Sequence, residues 1–152
     1  MIKIKGQVKL ECHNKEGKLL WSTKWLRNTI TNVGLAVISG LAGNVDAQTA
    51  FTYLAVGTSA TAESATHTAL QAEITDSGLA RAASTVSRVT TTQTNDTLQL
   101  TYMWTATATK AVEEVGVFNA ASAGTMLGRK LTTTKTVNNT ETLSATYQFI
   151  FS

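Results

Sequence analysis

The chain reads as mainly β: a β-sandwich or jelly-roll-like antiparallel fold with one short helix and an N-terminal β-hairpin or arm. Three observations predict this. Apolar and polar residues alternate with a period of two through residues 2–12, 97–109 and 143–151, the pattern of strands with one buried face. Threonine makes up about a fifth of the chain, and β-branched side chains suit a pleated surface. Only residues 28–44 carry apolar positions at helical spacing behind a capping residue.

The elements follow in order. Ile2, Ile4, Val8, Leu10 and Cys12 alternate with Lys3, Lys5, Gln7, Lys9 and Glu11. Gly6 interrupts them and is expected to mark a bulge. Asn14-Lys15-Glu16-Gly17 supplies a turn. Leu19, Trp21, Thr23 and Trp25 then share one face of a second strand, completing a hairpin whose outer lysines blunt a free edge. Thr31 or Asn32 caps a short helix carrying Leu35, Ile38 and Leu41, which Gly43-Asn44 ends; two internal glycines weaken it. Residues 51–56 have no charge on either face and form a central strand. Residues 58–66 are a loop, and 68–74 one helical turn. Residues 81–92 and 97–109 form a long hairpin around Asn95-Asp96. Val115 and Val117 begin another strand, residues 120–124 turn, 126–131 return, and Leu143, Ala145, Tyr147, Phe149 and Phe151 alternate in the last strand. That totals eight or nine strands in a single domain spanning residues 1–152, with 1–27 its basic hairpin or arm. Such a domain buries about 70% of its unfolded surface, enough for a core without staples.

Composition narrows the function. Mean hydropathy is +0.00 and charged residues are only 15% of the chain. No apolar run reaches the ~18–20 residues of a membrane span, and the alternating start does not read as a signal peptide. Cys12 is the only cysteine, so an intrachain disulfide or multi-cysteine zinc site is ruled out; it reads as a small buried hydrophobe. Residues 1–30 carry a net charge of +5 and the remainder −2, which points the N-terminal segment at an acidic partner. Lys3, Lys5 and Lys9 form its basic face. Aromatics are not interleaved along that face, which argues against nucleic acid.

No catalytic constellation emerges, and the chain is expected to be non-enzymatic and free of cofactors. His13 and His67 fall in a predicted turn and loop, without metal-ligand spacing. No G-x-S-x-G elbow is present. Glu113 and Glu114 are adjacent in a strand, so their side chains diverge rather than forming an acid–base pair. Trp104 lies on an apolar face and belongs to the core. Trp21 and Trp25, beside Leu19, read as core or interface, with a sugar-stacking platform as the rival.

Two blocks carry a resemblance. The first is residues 53–81, Y-L-A-V-G-T followed by a Thr/Ala/Ser loop, Ala69-Leu70, Glu73 and Arg81. The second is Glu113-Glu114-Val115-Gly116-Val117-Phe118-Asn119-Ala120 with Gly124-Thr125-Met126-Leu127-Gly128-Arg129. In order and spacing they resemble a family of small structural proteins of tailed-bacteriophage virions. The resemblance implies a capsid decoration (cement) protein on the outer head surface, made in the host cytoplasm, with the major capsid protein lattice as partner. A tail, collar or fibre component with sugar-binding capacity is the alternative. It also implies a homotrimer, consistent with the low surface charge. The partner contacts expected from sequence are Lys3, Lys5, Lys9, Trp21 and Trp25.

Overall fold

The opening alternation becomes β1 (Ile4–His13). In the computed structural model, which describes residues 1–152, this strand lies inside a sheet rather than at its margin. On one side it pairs antiparallel with β11 (Thr142–Phe151), from Ile4↔Phe151 to His13↔Thr142. On the other it pairs with β2 (Leu19–Ser22) and β3 (Leu26–Arg27), two pieces of one edge separated at residues 23–25. The Leu10 amide donates to Thr23 Oγ1 across that gap. β8 (Thr97–Thr105) and β7 (Thr85–Val89) complete sheet A, in the order β2-β1-β11-β8-β7. Sheet B comprises β4 (Thr29–Ile30), β10 (Met126–Val137), β9 (Lys110–Phe118), β5 (Tyr53–Gly57) and β6 (Ala82–Ala83) in that spatial order.

The inner faces of the two sheets make one core, giving a β-sandwich-like fold. Val8 and Leu10 of β1 and Leu143 and Phe149 of β11 join the same buried cluster as Leu54, Val115 and Val117 of sheet B. Each fully buried aliphatic or aromatic side chain contributes about 1.5–3 kcal/mol. Trp104 is core, its indole N–H donating to the Ala80 carbonyl at 2.8 Å. Cys12 is fully buried; burial, with Glu141 alongside, pushes its thiol up to about 12, so it packs as a neutral thiol.

The N-terminal hairpin is present, but it is not a free arm. Val8, Leu10 and Cys12 have no exposure, and β1 is flanked on both sides. Gly6 marks no bulge, since the β1–β11 register runs through it unbroken. It makes room for Asn28, whose side-chain amide would overlap a Cβ placed there. Residues 81–92 are not one strand. β6 pairs with β5 and β7 with β8, so the chain crosses from sheet B to sheet A at Ser84, whose N–H and hydroxyl both meet the Thr52 carbonyl. β8 stops at Thr105 rather than 109, because Ala106 and Thr107 turn their amides to Glu141 and Ser77. β10 runs past Leu131, carried by an irregularity between Leu131 and Lys135 that re-engages Val112. His13 ends β1 instead of lying in the turn.

The helix α1 (Asn32–Gly43) starts and stops where its caps direct. Thr31 Oγ1 accepts from the Gly34 amide at 3.0 Å and donates to the Met126 carbonyl; such a cap is worth about 1 kcal/mol. Asn44 closes the other end in the left-handed region, at φ 51. The buried face differs from the one expected. Gly34, Val37 and Gly40 face inward, while Leu35 and Leu41 are exposed. Gly34 lets the helix approach β10 closely: a Cβ there would lie 2.7 Å from Leu127 Cα.

Candidate partner-contact surface

The outer face of sheet B is covered by the loop that follows β5, and charged groups hold the cover down. Glu114 and Arg129, on neighbouring strands, are both fully buried and meet at 2.7 Å through Arg129 Nε. The same carboxylate accepts from the backbone amides of Gln71 at 3.0 Å and Ala72 at 2.7 Å. Residues 68–74 therefore form no helical turn, since the Gln71 and Ala72 amides are committed to Glu114. Arg81 makes a second clamp. Its guanidinium is bidentate on Glu73, donates to the Ala120 and Ala123 carbonyls, and lies 3.6 Å over the Phe118 ring. Asn119 Oδ1 accepts from the Thr125 amide and ties the β9–β10 turn. Residues of both sequence blocks thus converge on one packed assembly, whose visible task is to fix a loop. Glu113 diverges from Glu114, as expected, and accepts from Thr134 on the outside.

Gly57 belongs to this assembly for reasons of space. It lies in extended β5 without a positive φ, so its backbone does not itself require glycine. A Cβ there would overlap Glu114 Oε1 and sit 2.6 Å from the Ala72 carbonyl.

The basic residues gather elsewhere, along the seam where the edges of the two sheets meet. Two clefts lie astride β3. One, of about 400 Å³, is lined by Lys24, Lys130 and Lys135 together with serine and threonine hydroxyls. The other, of about 250 Å³, is lined by Lys5, Arg27 and Asn28 among others. Neither cleft has an acidic lining residue. Lys130 is held by Glu63 at 2.8 Å, while Lys5, Lys24, Arg27 and Lys135 have no ion-pair partner. Trp21 closes the seam, its indole N–H donating to the Thr136 carbonyl and its ring lying 5.6 Å from Lys135 Nζ. Trp25 stands 43% exposed at the gap between β2 and β3.

Of the sequence-derived contacts, Lys5 and Trp21 belong to this seam and Trp25 borders it. Lys3 lies before β1, its backbone bonded to Ser152, and lines neither cleft. Lys9 also lies outside and is ion-paired with Glu11 at 3.0 Å. Sequence reasoning did not name Lys24, Arg27, Lys130 or Lys135 among the contacts. The last two belong to the acidic part of the chain; Lys130 lies within the expected strand 126–131, and Lys135 reaches the seam through the extension of β10. The weak signal for them was a lysine on either side of the Thr132–Thr134 run.

Glu63 makes the seam's stability sensitive to acid. Burial raises its carboxyl, but hydrogen bonds from Lys130, the Leu131 amide and Thr29 outweigh this and hold it below the usual range. Asp96 is also held low: the backbone amide of Gln93 leads, partial desolvation opposes, and the Thr91 and Thr92 amides and the Thr97 hydroxyl add to the lowering. A depressed carboxyl gives stability that is complete above its unfolded pKa and is lost as pH falls through the folded one. The melting temperature should therefore hold from neutral pH to about 5 and fall steadily below about pH 4. Glu63→Gln and Asp96→Asn together should shallow that fall; an unaltered acid slope in the double variant would contradict it.

No family model, curated protein or solved structure matches the chain. No helix is long and apolar enough to cross a membrane.

Proposed function

We propose that the protein is a non-enzymatic structural component of a tailed-phage virion, a capsid decoration protein that docks on an acidic patch of the major capsid protein lattice through its basic seam. The observation that carries the docking mode is the pair of clefts astride β3: five basic side chains line them, and no acid. The arrangement of the two sequence blocks is consistent with the family reading, because their residues converge on one assembly that fixes a loop. Cement proteins strengthen a shell by binding its assembled form, so their contribution follows site occupancy. Complementary charge supplies orientation and association rate, and the buried contacts supply adhesion.

The test is co-sedimentation with empty heads assembled from the major capsid protein encoded in the same genome. Binding should saturate, weaken as salt rises, and drop at least about tenfold in Lys24→Glu/Arg27→Glu with the melting temperature unchanged. Absence of binding at low salt, or full binding by the charge-reversed variant, overturns the proposal. Exposed Trp25 beside the lysines favours one second reading: a tail, collar or fibre component that stacks an acidic sugar there. In that case Trp25→Ala abolishes binding to an acidic oligosaccharide, and heads are not bound.

A further inference from the structure

One edge of sheet B stays open inside the seam. β4 pairs with β10 only at Gly128 and Arg129, because the chain just before it belongs to sheet A, where β3 pairs with β1. β10 continues to Val137, and no strand lies on that side of it beyond Arg129. Thr132, Thr133 and Thr134 have no ladder partner on β9 either, since the register breaks between Leu131 and Lys135. The backbone at both ends of this stretch is already bonded by side chains at the seam. The Leu131 amide donates to Glu63 at 2.9 Å, and the Thr136 carbonyl accepts from the Trp21 indole at 3.1 Å. Between those two bonds Thr132, Thr133 and Lys135 line the cleft of about 400 Å³, together with Ser22, Thr23 and Lys24 from sheet A. Extended chain rises about 3.3 Å per residue, so residues 132–135 can match a segment of about four residues continuing the line of β4.

The chemistry along this edge selects what can lie there. Glu63 supplies the pattern: its carboxylate takes a β10 amide and Lys130 Nζ together. Lys24 and Lys135 border the next part of the edge without an ion-pair partner, and no acid lines the cleft. Lysines on an open edge keep out a neutral or basic strand, but they favour one that brings carboxylates. In strand addition the main-chain hydrogen bonds give affinity and the side chains give selectivity. Single-stranded nucleic acid would need aromatic faces for its bases, and no aromatic residue lines this cleft. We infer that the seam takes its partner as an extended acidic segment of polypeptide, laid along β10 beyond β4, with one carboxylate on Lys24 and another on Lys135. This rests on the proposed docking through the seam and adds the form of what is bound: a segment in strand conformation instead of a folded acidic surface.

Fluorescence anisotropy with the full chain tests it. The probe is a labelled, end-blocked peptide of about ten residues, alternating glutamate and valine. It should bind saturably and weaken as salt rises. An analogue methylated at every backbone nitrogen keeps the charge and loses the ladder donors, so it should bind at least about tenfold more weakly. Lys24→Glu/Lys135→Glu should weaken the unmodified peptide by a similar factor with the melting temperature unchanged. Absence of peptide binding at low salt overturns the inference, as does equal binding of the methylated analogue. Tighter binding of a single-stranded oligonucleotide of equal charge also overturns it. The docking reading fails separately. Heads bound by a protein that ignores the peptide would leave the docking standing and overturn the added strand. A protein that takes the peptide through these lysines but ignores heads would overturn docking on the capsid and leave the strand.

Discussion

Arg129→Met will lower the melting temperature more than any surface change in the protein. The substitution removes the only side-chain partner of a carboxylate that has no solvent exposure. Two amides from the covering loop remain on Glu114, but a buried charge without its counter-charge costs about 3–5 kcal/mol. For a domain of this length each kcal/mol shifts the midpoint by about 2–4 °C, so a fall of about 6–20 °C is expected in a thermal melt. The double change Glu114→Leu/Arg129→Met should recover much of the loss by leaving no buried charge, although the Gln71 and Ala72 amides then lack their acceptor. Arg129 Nη1 and Nη2 already lack protein partners, so the wild-type arginine is imperfectly satisfied and its removal with its partner is cheaper than either single change. A single variant that melts within about 1 °C of wild type would show that the pair does not hold the loop.

Gly57→Val acts on the same assembly by sterics. The Cβ would lie inside contact distance of both the Glu114 carboxylate and the Ala72 carbonyl. One is a buried anion and the other is backbone, so neither can swing away without breaking the clamp. Backbone strain plays no part, because β5 is extended at this position. The expected destabilisation is about 3 kcal/mol, the upper end of the usual range for overpacked cores. Gly57→Ala should already cost most of it, since the clash begins at Cβ. Because both substitutions release the same loop, Gly57→Val combined with Arg129→Met should cost clearly less than the sum of the two. Additive costs would mean that the two residues act on separate structures.

What was legible in the sequence was whatever rests on periodicity and local capping. The alternation of residues 4–12, 97–105 and 143–151 became β1, β8 and β11, because a one-sided burial pattern has only one pleated solution. Thr31 and Asn44 bounded the helix because cap chemistry is local. What was not legible depends on partners distant in sequence. Glycines 6 and 34 read as breaks, yet each leaves room for another group, Asn28 and the β10 backbone, as Gly57 does for Glu114. The helix face was misassigned for the same reason, since close approach can outweigh side-chain hydrophobicity. The Thr132–Thr136 portion of β10 shows no alternation and was invisible as strand, and with it Lys135 of the seam. The Glu114–Arg129 pair was within reach, because both residues flank the turn at 120–124 and a hairpin brings them onto neighbouring strands.

The pairing of β1 with β11 also sets an order in time. Ile4 finds its ladder partner only at Phe151, so the middle of sheet A cannot close until almost the whole chain is available. Sheet B can zip earlier, since β9 and β10 are joined by a short turn. Closing so long a loop is entropically expensive before any contact rewards it, which places this protein with the slow, non-local β domains that fold in milliseconds to seconds. Throughout that wait β1, which can already pair with β2 and β3 through the local hairpin, shows one unpaired edge and an apolar face. Crowded synthesis is therefore the condition under which this chain is most exposed to aggregation, and slower production at lower temperature should raise its soluble yield.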